Sequence, residues 1–448
     1  MSNWKERIVI TPLARLADRL TWLAEHPVFG VMAIALVAFG TRFWNLDGTA
    51  DIVFDEIYYP KYAQNYLRGE PLFDAHPPLA KYIIGLGIQI FGYAPFGYRC
   101  MTALAGSLLP LVTYEFVWQL SDRRDWAWLT GWFVAMDGLL LVESRFGLIN
   151  IYILLFGMLS QLCMVMALKR SRQRWFWVIA TGLMFGASFS VKWTGLAYIV
   201  GLVVIAGYAR SRYRQTLNAN QILIGLIILP IIFYFGEWIP HLIINPERDI
   251  WELHRQIIGF HQNLGVGKTQ PIHPYCSPWW SWVLLIRPIA YFLKVRPNSM
   301  VEYVLAIGNP FLYWLSVIAL LSCLAILIIS RFRFPPKIFT QIFSKERSPL
   351  VWFIFYVMIS FAAHWLPWSI SRRCIFLYHY MPASVFAFAA LALLVSLMWR
   401  SPLKEIQALS SGIFVMITIA FLFWLPIYIG LPISSVYLRV LIWLPSWI

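Results

Sequence analysis

Apolar runs long enough to cross the ~30 Å hydrocarbon core of a bilayer recur along the whole chain. They begin near Val28, Phe96, Trp126, Gly147, Trp175, Thr194, Gln221, Tyr303, Leu350, Ile375 and Gly412. These starts predict about eleven spans by the length criterion, and the spans are helical because a segment in lipid has to satisfy its own backbone. Every second interval between them is short and basic. Lys169, Arg170, Arg172 and Arg174 form one cluster, Arg210, Arg212 and Arg214 the next, Arg331, Arg333 and Lys337 a third, and Arg400 with Lys404 a fourth. Short basic loops stay cytoplasmic. The N-terminus is therefore expected inside, and the C-terminus, ending WLPSWI, outside. The opening stretch, MSNWKERIVITPLARLADRL, is too long and polar for a cleavable signal and lacks a small-residue cleavage site, so it reads as a cytoplasmic tail.

Composition agrees with this pattern. Of 448 residues, 60% are hydrophobic and 13% charged, with a mean hydropathy of +0.66, which no water-facing surface can wrap. The net charge of +15 sits in the short clusters, so it reads as a topology signal and not as a nucleic-acid footprint. The five cysteines show no C-x-x-C pair and suggest neither a zinc site nor a disulfide framework. No internal repeat or separate soluble domain is expected. Residues 1–448 read as one integral-membrane domain with two long outside loops, 47–95 and 240–302, some of it folded as amphipathic helices on the outer face.

The first outside loop carries the chemistry that lipid packing does not explain. Asp55 and Glu56 follow an apolar Ile-Val-Phe run at the outer membrane edge, where acids face a bundle interior or an aqueous cavity. Neighbours on a helix lie about 100° apart, so one acid can meet a substrate while the other turns elsewhere. Asp55 is the expected reactive group and Glu56 its support; capping of a helix over 57–68 is the plainer alternative. In FDAHPPLAKY, His76 is biased to an extended backbone by Pro77, and Lys81 follows. Arg99, Arg145, Lys192 and Arg287 also fall at outside ends of spans. Several cations on that face suggest a phosphate at the outer leaflet, which arginine binds through paired hydrogen bonds. A Glu143–Arg145 ion pair competes with that reading. Asp74 and His76 alone do not make a metal site.

The string FDEIYYPKYAQNYLRGEPLFDAHPPLAKYIIGLG resembles the protein O-mannosyltransferase family, the dolichyl- or polyprenyl-phosphate-mannose–protein mannosyltransferases. FGYRCMTALAG, MDGLLLVESRFGLIN, FSVKWTGL, IIGFHQNLGVGKTQPIHPYCSPWWSWVLLIRPIAYF, AIGNPFLYW, FLYHYMPASVF and PIYIGLPIS extend the resemblance along nearly the whole chain. Three features depart from the family pattern: a longer GVGKTQPIHPY loop, Pro278 in SPWW where many relatives have Lys, and Asn150 where many have Asp.

The resemblance implies a GT-C glycosyltransferase, an all-α polytopic bundle in the bacterial form without the soluble MIR domain. It implies a multi-pass plasma-membrane protein with its active site outside. The donor would be a polyprenyl-phosphate sugar in the lipid, the acceptor Ser or Thr of an exported protein, and the mechanism single-displacement and inverting. Asp55 and Glu56 would be catalytic. Arg99, Arg145, His76 and Lys81 would hold the donor phosphate, and His273, Tyr275, Trp279 and Trp280 would read acceptor or sugar. No cofactor is required by this scheme, although GT-C enzymes that use a divalent ion leave the question of a metal open. The alternatives are transfer to a lipid or glycan acceptor, and a transporter or flippase. A transporter would place charge near the bilayer midplane and break helices in repeated halves, whereas most ionisable residues here are expected at the outer rim, with Asp137, two helical turns from the outer end of its span, the clearest exception.

Overall fold

The computed structural model describes residues 2–212, 216–263, 273–297, 299–331 and 347–447. The basic clusters at 210–214 and 331–337 and most of the GVGKTQPIHPY loop fall outside the residues whose side chains are described. Helices dominate. α1 (Ser2–Glu25) and α2 (Pro27–Phe43) meet at a 97° bend, because Pro27 lacks an N–H and His26 before it is extended. There follow α3 (Tyr59–Arg68), α4 (Leu79–Phe91), α5 (Pro95–Ser121), α6 (Arg124–Ala135), α7 (Gly138–Arg145), α8 (Asn150–Lys169), α9 (Arg174–Phe189) and α10 (Tyr198–Arg212). The second half contains α11 (Ala219–Ile244), α12 (Ile250–Asn263), α13 (Pro310–Arg331), α14 (Arg347–Trp365), α15 (Met381–Trp399), α16 (Lys404–Tyr428) and α17 (Ser435–Leu441).

Among the described residues seven helices are long and apolar enough to span, or eight if the bent α1–α2 pair counts as one. The eleven expected from run length are not all reproduced, because several runs fold as shorter or interrupted helices. At Met136–Asp137 the chain breaks. Asp137 is extended, its Oδ2 caps α7 by accepting from Leu140 N at 3.0 Å, and its Oδ1 accepts from Asn309 N at 3.0 Å. Asp137 is thus a structural cap. Trp193–Ala197 forms a 3₁₀ turn that feeds α10, leaving Lys192 in the turn after α9, as the sequence suggests.

The run beginning at Tyr303 starts as a strand, and its helix begins only at Pro310. β1 (Ile289–Val295), β2 (Met300–Ala306) and β3 (Pro432–Ser434) form an antiparallel sheet in the order β1-β2-β3, with Ile289 opposite Ala306 and Val301 opposite Ile433. The register shifts between Ala290 and Phe292, a bulge that re-aims Tyr291. The short helices of the two long loops are amphipathic. α3 buries Tyr59, Pro60 and Ala63 and stops at Gly69, whose φ of 67° suits a residue without Cβ. α12 buries Leu253 and Ile257, one turn apart.

The expectation of no disulfide is overturned. Cys276 and Cys374, 98 residues apart, are bonded with their Cα atoms 5.3 Å apart. Ser277 N donates to Ile375 O at 2.9 Å beside the bridge. The pairing was invisible in a one-dimensional spacing because the loops meet only once the bundle has folded. Cys100, Cys163 and Cys323 are free and buried. Thiol counting on denatured, unreduced protein should therefore find these three thiols, and all five cysteines only after reduction. Replacing Cys276 and Cys374 with alanine should cost about 2–4 kcal/mol of stability, read as a lower unfolding midpoint at unchanged helix content.

Candidate active site

The site is built on the turn Phe54–Ile57, a short 3₁₀ segment before α3. Phe54 has φ 52°, left-handed geometry for a bulky side chain, which costs on the order of 1–3 kcal/mol and persists only where surroundings enforce it. Two contacts do so. The Phe54 ring stacks on Tyr291 with centroids 4.0 Å apart and planes 5° apart. Glu56 is pinned beneath the turn: Oε2 accepts from Val53 N at 2.9 Å, and Oε1 from Gly147 N at 2.7 Å.

Arg99 closes the arrangement. Its Nε and Nη2 donate to the two Glu56 oxygens at 2.7 Å each, Nη1 donates to Leu46 O and Thr49 O, and Nη2 also to Asp51 O. These bonds use all five guanidinium donors, and both side chains are fully buried. Glu56 therefore supports the turn, and Arg99 has no donor left for a phosphate. Arg145 is likewise committed. It donates to the carbonyls of Thr41, Arg42, Trp44 and Asn45, capping the C-terminal end of α2. Neither arginine lines the cavity described next, so the geometry does not bring them to the place expected of them. Glu143 does not pair with Arg145 either; it accepts from Tyr291 and Asn150.

Asp55, the neighbour of Glu56, turns the other way into a cavity of about 660 Å³. Successive residues of a 3₁₀ turn point about 120° apart, which separates the two acids. Burial raises the Asp55 carboxyl above the ordinary carboxylate range, opposed by nearby Lys192 and by a hydrogen bond from Tyr59. Lys192 and Arg373 line the same cavity. Lys192 Nζ donates to Asn150 Oδ1 at 2.8 Å and lies 5.3 Å over the Tyr378 ring. Burial lowers its pKa to about 8, with Asp55 and Glu143 working against the drop.

Arg373 is oriented by two histidines, His261 at 3.0 Å and His379 at 3.5 Å. His261 Nε2 also meets Ala75 O at 2.9 Å, so Nε2 carries the proton and Nδ1 accepts from Arg373. Burial and Arg373 push the His261 pKa down to about 4, and burial with Lys192 and Lys81 holds His76 well below its usual range. Both rings are thus neutral near pH 7, and they lie 5.1 Å apart.

His76 and His273 line this cavity. Lys81 stands behind the wall, its Nζ paired with Asp74 at 2.5 Å and bonded to the carbonyls of Pro77 and His76. It clamps the turn that presents His76. Tyr275 lines a neighbouring cleft of about 680 Å³ beside β1. Trp279 packs against Trp365 at 4.5 Å and Trp280 is exposed, both away from the cavity. Arg373, His261 and His379 went unassigned in the sequence. Arg373 follows the end of the span Pro349–Ile370, a position of the kind that singles out Arg99 in the sequence; the two histidines carry no local pattern. Among the described residues, no three His, Cys, Asp or Glu side chains gather into a group that could hold a metal.

Two family profiles match the chain. One described as dolichyl-phosphate-mannose-protein mannosyltransferase covers residues 32–95 and 94–244, and one described as the C-terminal four-TMM region of protein-O-mannosyltransferase covers 246–447. The chain belongs to the protein O-mannosyltransferase family. Relatives named polyprenol-phosphate-mannose–protein mannosyltransferase include one from Corynebacterium glutamicum, 26% identical over 92% of both chains. Another, from Mycobacterium tuberculosis, is 24% identical over 92% of this chain and 90% of its own. The fold is that of the Saccharomyces cerevisiae protein O-mannosyltransferase complex bound to the sugar donor (TM-score 0.70, 14% identity, 100% and 93% coverage). ArnT from Cupriavidus metallidurans is a more distant match (TM-score 0.55, 14% identity, 90% and 77% coverage).

The family assignment and the geometry together separate two kinds of arginine. Arg99→Ala, which orphans the buried Glu56, should cost about 3–5 kcal/mol and lower folded yield and activity together. Arg373→Ala should leave the thermal midpoint near that of the parent and raise the donor KM. A pure donor KM effect for Arg99→Ala, with stability unchanged, would reverse the two assignments.

Proposed function

We propose that this protein transfers a mannosyl residue from a polyprenyl-phosphate donor to Ser or Thr hydroxyls of exported proteins. The observation that carries the reading is that Asp55, a carboxylate hydrogen-bonded by Tyr59 but held in no salt bridge among the described residues, shares a single cavity with the cations Lys192 and Arg373. Asp55 takes the acceptor hydroxyl proton as that oxygen bonds to the anomeric carbon. The bond from that carbon to the phosphate oxygen breaks, and its electron pair leaves with the phosphate. The leaving group departs as an anion and needs no acid, so one carboxylate suffices; glycoside hydrolysis commonly uses two. Lys192 and Arg373 stabilise the charge developing on the phosphate, and a single displacement inverts the anomeric centre. The acceptor is read from the side of His273. An apolar groove of about 380 Å³, lined by Leu67, Leu86, Ile243 and Ile244 among others, lies on the other side of the Lys81 clamp and suits a polyprenyl chain.

The site faces outside in this reading. α8 begins at Asn150, bonded to Lys192, and ends at Lys169 in a basic cluster. Its 20 residues span about 30 Å, one hydrocarbon thickness, so the cluster lies inside when the cavity lies outside. The disulfide beside the cavity fits an oxidising compartment.

Incubation with polyprenyl-phosphate mannose and a Ser/Thr-rich peptide, followed by mass analysis, should show a hexose on a hydroxyl residue. Asp55→Asn should lower kcat by about 10²–10⁴-fold in folded, inserted protein; turnover at the parent rate would remove Asp55 from the base role. The profile of kcat/KM against pH should be bell-shaped. Activity rises as Asp55 loses its proton, at a pH above the ordinary carboxylate range, and falls as Lys192 loses its charge near pH 8. Because fixed cations hold the phosphate here, activity should survive EDTA; loss with rescue by Mn²⁺ or Mg²⁺ would overturn that part of the scheme.

A further inference from the structure

Glu143 lies outside the cavity wall, fully buried in α7, yet each of its oxygens is joined to one side of the site. Oε1 accepts from the Tyr291 hydroxyl. Tyr291 stands at the β1 bulge, and its ring stacks on Phe54, the left-handed residue immediately before Asp55. Oε2 accepts from Asn150 Nδ2 at 3.1 Å, and Asn150 Oδ1 accepts from Lys192 Nζ at 2.8 Å. One carboxylate therefore terminates two short chains, one reaching the base and the other a phosphate-side cation.

We infer that Glu143 is a positioning residue that fixes Asp55 and Lys192 relative to each other, through Tyr291 on one side and Asn150 on the other. The inference rests on the proposed function above. Its physical basis is that a carboxylate is acceptor-only. It orders both the Tyr291 hydroxyl and the Asn150 amide, leaving the Asn150 oxygen free to receive Lys192. Glutamine at 143 has a single acceptor for the two donors and lacks the charge that holds both, so the molecules divide between keeping one chain and keeping the other, and neither Asp55 nor Lys192 stays fixed. Displacement of a reacting group by about 1 Å can cost on the order of 10²-fold in rate, so such a tether acts without touching substrate.

Burial raises the Glu143 carboxyl above the ordinary carboxylate range, opposed by the hydrogen bonds from Tyr291 and Asn150 and by Lys192, so Glu143 contributes its charge on the alkaline side of the profile. Lys192 faces the anions Asp55 and Glu143, the cations Arg373 and Lys81, the phenol ring of Tyr378, and the imidazoles of His76, His261 and His379. Neutralising Glu143 removes one of the two anions that favour the ammonium, so Lys192 gives up its proton at lower pH.

Full-length protein, assayed with polyprenyl-phosphate mannose and a Ser/Thr peptide, tests the inference. Tyr291→Phe keeps the stacking ring and should lower kcat about tenfold at little change in donor KM, while Asn150→Ala should raise donor KM by a similar factor. Glu143→Gln should do both and move the alkaline limb of kcat/KM to lower pH. In the Glu143→Gln background, adding either other substitution should cost less than about twofold, the non-additivity expected of residues in one network. Parent kinetics for Glu143→Gln, or full multiplication of the losses with an unmoved alkaline limb, would overturn the positioning role. If Glu143→Gln does not fold, the Tyr291→Phe/Asn150→Ala double variant decides. A loss smaller than the product supports a shared carboxylate, and one equal to the product refutes it. Asp55→Asn run alongside separates the two levels: activity in that variant removes the proposed mechanism, whereas its inactivity beside normal Glu143→Gln kinetics removes only Glu143.

Discussion

The buried ion pair between Glu56 and Arg99 is the constraint on which the site depends. Taking both charges out of water is costly, and a buried pair is favourable only when geometry is good and the remaining polar atoms are satisfied. Here they are: the guanidinium spends its donors on Glu56 and three carbonyls, and Glu56 collects two backbone N–H groups as well. That closed network holds Val53–Glu56 rigidly enough to keep Phe54 in a conformation it would not adopt alone. With Glu56 locked inward, Asp55 can only face the cavity. Two adjacent acids of nearly identical chemistry thus acquire opposite tasks.

The cations divide on the same principle. Arg99 and Arg145 bind backbone carbonyls and a carboxylate, so their charge is spent in holding the chain between the end of α2 and the Phe54 turn. Lys192 instead donates to an asparagine and Arg373 to two histidines, partners that orient them without a carboxylate in direct contact. A positive group held this way in a largely buried cavity acts on an anion far more strongly than it would in water. The Cys276–Cys374 bridge reinforces the arrangement, since it joins the segment of His273 to that of Arg373.

Irregular backbone gathers around the same region: the Phe54 turn, the break before α7, the 3₁₀ turn at Trp193 and the bulge at Tyr291. Each exposes polar groups that lipid could not satisfy, and each is tolerated because protein covers it. The break at Asp137 is paid for by its two accepted backbone bonds, and the bulge aims Tyr291 at both Phe54 and Glu143.

Apolar run length and the spacing of basic clusters by themselves determined that this is a polytopic helical membrane protein, since both follow from transfer of side chains into or out of lipid and act locally along the chain. The ordered motifs from Asp55–Glu56 through His76 to the C-terminal segments were enough to indicate the family. Which acid faces the cavity, which arginines are committed to the framework, and that Arg373, His261 and His379 join Lys192 were decided only by the tertiary structure. So were the disulfide and the strand at Tyr303. These properties depend on whether a donor or acceptor already has a partner, and the partners are distant in sequence: Arg99 lies 43 residues from Glu56, and Tyr291 lies 148 from Glu143. A charge read in one dimension looks free until the packed chain shows what has already bound it.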